Sequence, residues 1–149
     1  MLQTPEVRIR DLNNQPARSD GKFVVYWMTA CRRLSSNYAL QRAVELARSY
    51  RKPLLIVEAL RLDYPWASRR MHAFVLQGMR DNRDHAAKYS HCYFPFVETS
   101  VGQGRGMMEW LASEAVTLVT DDFPCFFLPR MIDALARRIR VKLEAVDSN

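Results

Sequence analysis

Three short stretches carry side chains whose chemistry goes beyond packing. The first is Cys31-Arg32-Arg33, where guanidinium groups beside a thiol favour the nucleophilic thiolate. No histidine or carboxylate stands close in sequence to act as its base, so a small buried thiol kept reduced is the simpler reading. The second is Asp121-Asp122, a carboxylate pair suited to a metal, to general-base work, or to hydrogen bonds with a ligand's ring nitrogens or hydroxyls. A structural reading stands beside it, in which one aspartate caps the following helix and the other is solvated. The third is Gly102-Gln-Gly-Arg-Gly106, which precedes a helix and so offers amides to an anion. It lacks the Lys-Ser/Thr that completes a phosphate loop, and a flexible surface connection is the preferred reading.

Other chemistries are excluded by what is missing. Cys31, Cys92 and Cys125 lie far apart with no Cys-x-x-Cys, which argues against a disulfide framework and against a zinc knuckle. His72, His85 and His91 form no ligand pair, and the last two fall where solvated surface is expected. No metal site and no catalytic residue is assigned. The 149 residues carry a formal net charge of +6 with the excess in arginine, clustered at Arg32–Arg33, Arg69–Arg70, Arg137–Arg138 and Arg140. These are either solvated helix faces or contacts to a polyanion such as nucleic acid. No apolar run approaches the ~20 residues of a membrane helix, and the first residues lack a signal-peptide core, so a cytoplasmic location and no membrane partner are expected.

The elements that must hold these groups follow from hydrophobic periodicity. Residues 1–21 are polar and read as a flexible lead-in with at most one short turn. Continuous apolar runs at Lys22–Met28, Pro53–Glu58, Val116–Thr120 and Val141–Val146 predict strands buried on both faces. Tyr93–Val97 predicts another, moved toward a sheet edge by its internal Pro95. Helical spacing predicts helices from Asn37 to about Tyr50, Ala67 to Tyr89, Met107 to Ala115 and Cys125 to Ile139, the first capped by Asn37 or Ser36. Five strands alternating with four helices give an α/β fold, a doubly wound five-stranded parallel sheet of the Rossmann-like kind. Ligands in such sheets sit beyond the carboxyl ends of the strands where strand order reverses, which singles out the turns at Thr29–Ser36 and Asp121–Pro124. The first turn has neither G-x-G-x-x-G nor G-x-x-x-x-G-K-[ST], so its amides are not expected to close on a phosphate.

With those elements in place, several stretches carry a family likeness. VVYWM…RR…NYAL resembles the opening of DNA photolyases, in the form closest to the class II cyclobutane-dimer enzymes. KPLLIV, SRRMHAFVLQGM, VTDDFP and AVDSN match further photolyase segments in the same order, so the likeness runs from Lys22 to Asn149. The resemblance implies the N-terminal α/β domain of a photolyase, which holds a light-harvesting antenna chromophore, a folate or a deazaflavin. It implies as partners a C-terminal helical domain that binds FAD and, through the full-length protein, damaged DNA, with light-driven dimer repair absent from this piece alone. Cryptochrome-type photoreceptors share the domain, and a stand-alone α/β nucleotide-binding or interaction module is the alternative from another class. Carried over by position, the expected cofactor contacts are Trp27, Met28, Thr29, Arg33, Asn37, Asp121, Asp122 and Phe123. The family's Arg-Asp after the first strand is replaced by Ala30-Cys31, and the Asp before Asn37 by Ser36. Apolar faces around Phe126, Phe127, Met131 and Met107–Trp110 are expected to meet the missing domain or to promote self-association.

Overall fold

Val24, Val25, Tyr26 and Met28 are almost wholly inaccessible, because this strand lies in the middle of a sheet covered on both faces. In a computed structural model that describes residues 3–89 and 92–149, the strands are β1 (Ile9–Asp11), β2 (Phe23–Met28), β3 (Leu54–Leu60), β4 (Cys92–Val97), β5 (Ala115–Asp121) and β6 (Leu143–Val146). The helices are α1 (Tyr38–Tyr50), α2 (Arg69–Ala86), α3 (Met107–Glu114) and α4 (Leu128–Ala136). Their spatial order is β1-β6-β5-β2-β3-β4, so strand order reverses between β2 and β5. His91, read as surface, lies outside the described residues, and His85 is half-buried beside the Tyr89 ring.

Two apolar layers sandwich the sheet. Ala39, Ala43 and Ala47 of α1 press on Val24, Tyr26 and Ile56, small residues letting the helix approach closely. On the opposite face Met108 and Leu111 of α3 and Ile132 and Leu135 of α4 meet Val25, Trp27, Val57 and Leu118. α1 starts where the sequence places it, with the Asn37 side chain accepting from the Leu40 amide. β4 lies at the sheet edge. Since the Glu98 amide donates to Leu60 O, alternation turns Pro95 outward, where no ladder donor is lost.

The α/β architecture is as expected, but the sheet is six-stranded and mixed rather than five-stranded and parallel. The extra strand, β1, arises within the segment read as lead-in and pairs antiparallel with β6, Ile9 opposite Val146 and Asp11 opposite Glu144. Three partly exposed residues give too little alternation to announce a strand. Pairing with β6 makes it one, reinforced by Arg8 against Asp147. α4 is shorter than predicted: Phe126 adopts a left-handed φ of 62°, which halts regular helix, and Pro129 then sits in the opening turn. β6 likewise begins two residues later than its apolar run, at Leu143 rather than Val141.

Two sites in this frame generate predictions. Gly21 lies where a Cβ would come within 2.3 Å of the Val116 amide nitrogen and 2.5 Å of the Ala115 carbonyl carbon, both backbone atoms that cannot swing aside. Gly21→Ala is therefore expected to cost roughly 1–3 kcal/mol in urea unfolding; a change below about 0.5 kcal/mol contradicts that close approach. Glu144, buried in β6, accepts from Arg42 at 2.7 and 3.1 Å and pairs with Lys142 at 3.2 Å. Burial pushes its pKa up, but the hydrogen bonds and charges of Arg42 and Lys142 outweigh burial and hold it below the ordinary value of 4.5. A carboxyl whose pKa is lowered by folding adds stability that is complete above its unfolded value and is lost as pH falls through the lower folded value. Thermal melts at neutral pH and below about pH 4 should show a larger acid loss for the wild type than for Glu144→Gln; equal losses refute the assignment.

Candidate functional site

The reversal point between β2 and β5 is occupied by the protein itself. Asp121 ends β5 only 2% exposed, and its Oδ2 accepts from the amides of Thr29 at 2.8 Å, Ala30 at 2.7 Å and Cys31 at 3.0 Å. Its Oδ1 accepts from the Tyr26 hydroxyl at 2.7 Å. Three successive amides converging on an anion form a nest of the kind that cradles phosphates. The turn was not expected to close its amides on a phosphate; they close instead on a carboxylate of the same chain. Burial, then the charge of Asp121, push the Tyr26 phenol well above its ordinary pKa.

Asn37 completes this network. While Oδ1 caps α1, Nδ2 donates to Tyr26 Oη at 2.9 Å, to Cys31 O at 3.0 Å and to Arg33 O at 2.9 Å. Arg33 is exposed and folds back on Ser36 O at 3.1 and 3.2 Å. Asp122 forms a two-point pair with Arg10 of β1 at 2.9 and 3.1 Å. Neither aspartate caps α4, whose N-terminus has no side-chain cap. Phe123 stacks on Phe126, centroids 6.4 Å apart. Burial, then Asp121's charge, raise the pKa of Cys31 against the opposing pull of Arg33, so the thiolate favoured by neighbouring arginines in the sequence reading is disfavoured.

A cleft of about 850 Å³ opens instead beyond the carboxyl ends of β2, β3 and β4. Trp27, Met28 and Thr29 line it, whereas Arg33, Asn37, Asp121, Asp122 and Phe123 do not. Its walls are aromatic and sulfur-bearing, with Tyr64, Phe96 and Phe127 beside Met71, Met107 and Met131. Five arginines edge it: Arg32, Arg61, Arg105, Arg130 and Arg138. Arg61 pairs with Asp63 and Arg138 with Glu109, while among the described residues Arg105 and Arg130 have no carboxylate partner. The two loops forming its rim are pinned by buried Glu98, which accepts from the Leu62 amide at 3.0 Å and the Gly104 amide at 3.0 Å. The glycine-rich loop therefore spends its inward amide on that carboxylate.

Sequence reasoning missed Tyr64, Phe96 and Glu98 and gave Arg32 a different role; the four reach the cleft from three segments, the turn after β2, the loop after β3 and the end of β4. The one available signal was position, since each follows or ends a predicted strand. Of the apolar faces singled out, Phe126 (69% exposed) and Trp110 (64%) stand in solvent, whereas Phe127, Met131 and Met107 line the cleft. Among the described residues no cluster of metal-ligating side chains occurs, and no helix is long and apolar enough to cross a membrane.

No family model matches the chain. A deoxyribodipyrimidine photo-lyase of Methanothermobacter thermautotrophicus is 32% identical over 142 residues, a match covering 95% of this chain and 31% of that relative. The chain thus spans about a third of the length of the curated relative it matches. Among solved structures, a universal stress protein in complex with cAMP superposes with a TM-score of 0.46 at 18% identity, over 87% of this chain and 99% of its own.

The nest makes a definite prediction for Asp121→Asn. The substituted amide keeps the shape but turns one acceptor into a donor facing donors, leaving a buried amide or hydroxyl unsatisfied. A loss of roughly 3 kcal/mol in denaturant unfolding is expected. A variant as stable as the wild type would show that the amides of Thr29–Cys31 do not depend on the carboxylate.

Proposed function

We propose that this chain is the antenna-type α/β domain of a photolyase-like DNA-repair flavoprotein, and that its cleft holds an aromatic light-harvesting chromophore, a folate or a deazaflavin. The observation that carries this reading is the cleft, interpreted through the 32% identity to a photolyase over nearly the whole chain. Its volume falls in the usual range for small-molecule sites, and walls of aromatic and methionine side chains with charged groups among them suit a flat conjugated ring that carries polar edges. Trp27, Met28 and Thr29 are the expected contacts that lie in position to touch it, joined by Tyr64, Phe96 and Phe127. Asp121 and Asn37 would act on the chromophore only by fixing the turn that carries Thr29 and Arg32.

FAD belongs, in this reading, to a helical domain outside these residues, together with damaged DNA and the light-driven chemistry. The residues here suit that division. The turn amides that would meet a pyrophosphate are filled by Asp121, and the glycine loop lacks the residues that complete a phosphate site.

Binding is measured by fluorescence titration of the purified chain with 8-hydroxy-5-deazariboflavin and with a reduced folate. One of the two should bind with a Kd near or below about 10 μM, and Ala134→Trp, which fills the cleft from α4, should weaken it at least about tenfold. Failure of both ligands to bind, or binding that ignores the cleft-filling substitution, overturns the reading. Stoichiometric FAD retained by this chain alone would overturn the placement of the flavin elsewhere.

A further inference from the structure

We propose that Arg32 is the specificity-determining residue of the cleft, reading a hydrogen-bond acceptor edge (a ring carbonyl or carboxylate) on a planar ligand held against Trp27 and Met28. The proposal rests on the cleft being a ligand site, and names which feature of the ligand the chain selects.

The sequence reads Arg32 as a neighbour of the Cys31 thiol or a polyanion contact, but the structure fixes it elsewhere and from several sides. Its Nη1 donates to Glu58 Oε1 at 3.0 Å and its Nη2 to Ala59 O at 2.9 Å, both at the carboxyl end of β3. Glu58 is 1% exposed, and its other oxygen accepts from Asn82 Nδ2 at 2.9 Å and from the Tyr93 hydroxyl at 2.6 Å. Asn82 also donates to Arg32 O at 3.3 Å, so one side chain of α2 holds both the Arg32 backbone and the carboxylate that pairs with its guanidinium. A buried carboxylate is costly unless paired, and here its pairing holds one arginine at the wall of an apolar cleft.

That arrangement suits recognition. A guanidinium has five N–H donors in a rigid plane, and the bonds to Glu58 and Ala59 use two. The side chain lines the cleft and keeps 30% of its surface open. Ordering an arginine normally consumes binding energy, but here Glu58 has already immobilised it. A ligand with a carbonyl edge gains a charge-assisted hydrogen bond; a ring of equal size without acceptors gains none and must desolvate the guanidinium. The other arginines bordering the cleft differ: Arg61 and Arg138 pair with exposed or half-exposed carboxylates, and Arg105 and Arg130 are exposed. None of these is anchored by a carboxylate as deeply buried as Glu58.

The test compares two flat tricyclic probes, 5-deazariboflavin with a carbonyl edge and 2-hydroxymethylanthracene without one. Removing Arg32 alone would leave Glu58 unpaired and endanger folding, so the main variant is Arg32→Gln with Glu58→Gln, checked by circular dichroism and thermal melting. Arg32→Lys, which keeps the charge but loses the planar fork, serves as the second. Wild-type protein should bind deazariboflavin at least about tenfold more tightly than the double variant, while the anthracene affinity changes less than about twofold. The lysine variant should fall between them on deazariboflavin. Equal losses for both probes would mean that Arg32 only shapes the cleft, and an unchanged deazariboflavin affinity would mean that it reads nothing; either overturns the proposal. If the wild type binds neither probe, the cleft is no aromatic site and the underlying reading falls with it.

Discussion

The Asp121 carboxylate in its nest of amides is the interaction on which the rest of this structure depends. It joins the end of β5 to the first turn after β2 across the point where the sheet changes direction. Through Tyr26 it reaches Asn37, and through Asn37 it sets the start of α1. In many open α/β sheets this crevice receives a ligand's phosphate. Filling it with an internal anion satisfies amides that would otherwise need water or ligand, and the cleft opens beside it over β2, β3 and β4.

Three more buried carboxylates repeat this device on a smaller scale. Glu98 ties the loop after β3 to the glycine loop after β4, Glu58 ties the first turn to α2 and β4, and Glu144 ties β6 to α1. In each case a single side chain holds together two or more separate segments of the chain. Such pairs add little net stability over an apolar core, but breaking one is costly because a charge is left buried. They therefore act as registry pins. The cleft is bordered by loops, and two of those pins, Glu58 and Glu98, stand at its border.

What was legible in the sequence follows the range of the forces involved. Continuous apolar runs announced the five longer strands, Pro95 announced an edge, and Asn37 announced a cap, because each signal is local. β1 was hidden because three residues with polar neighbours become a strand only when β6 offers a partner over a hundred positions away. The start of α4 was misplaced because the left-handed Phe126 is favoured by its ring contacts with Phe123 and Trp66 rather than by any local preference. The Asp121-Asp122 pair was visible as a pair, yet nothing local distinguishes the aspartate that builds the nest from the one that meets Arg10 at the surface. Glu58 looked like the polar end of a strand, and only the fold brings it to Arg32.

The turn between β2 and α1 shows how side-chain change is tolerated. What Asp121 requires from Ala30 and Cys31 is their backbone amides, and every residue except proline supplies one. Side chains at the two positions are therefore free to vary while the nest stays intact. Charge near the strand end is supplied by Arg32, one residue further along, with Glu58 of the adjacent strand as its counter-ion. Backbone geometry is thus preserved by hydrogen bonds that do not read side chains, and the polar character of the cleft wall is carried by the neighbouring residue. A turn of this construction can change its side chains without rebuilding the sheet beneath it.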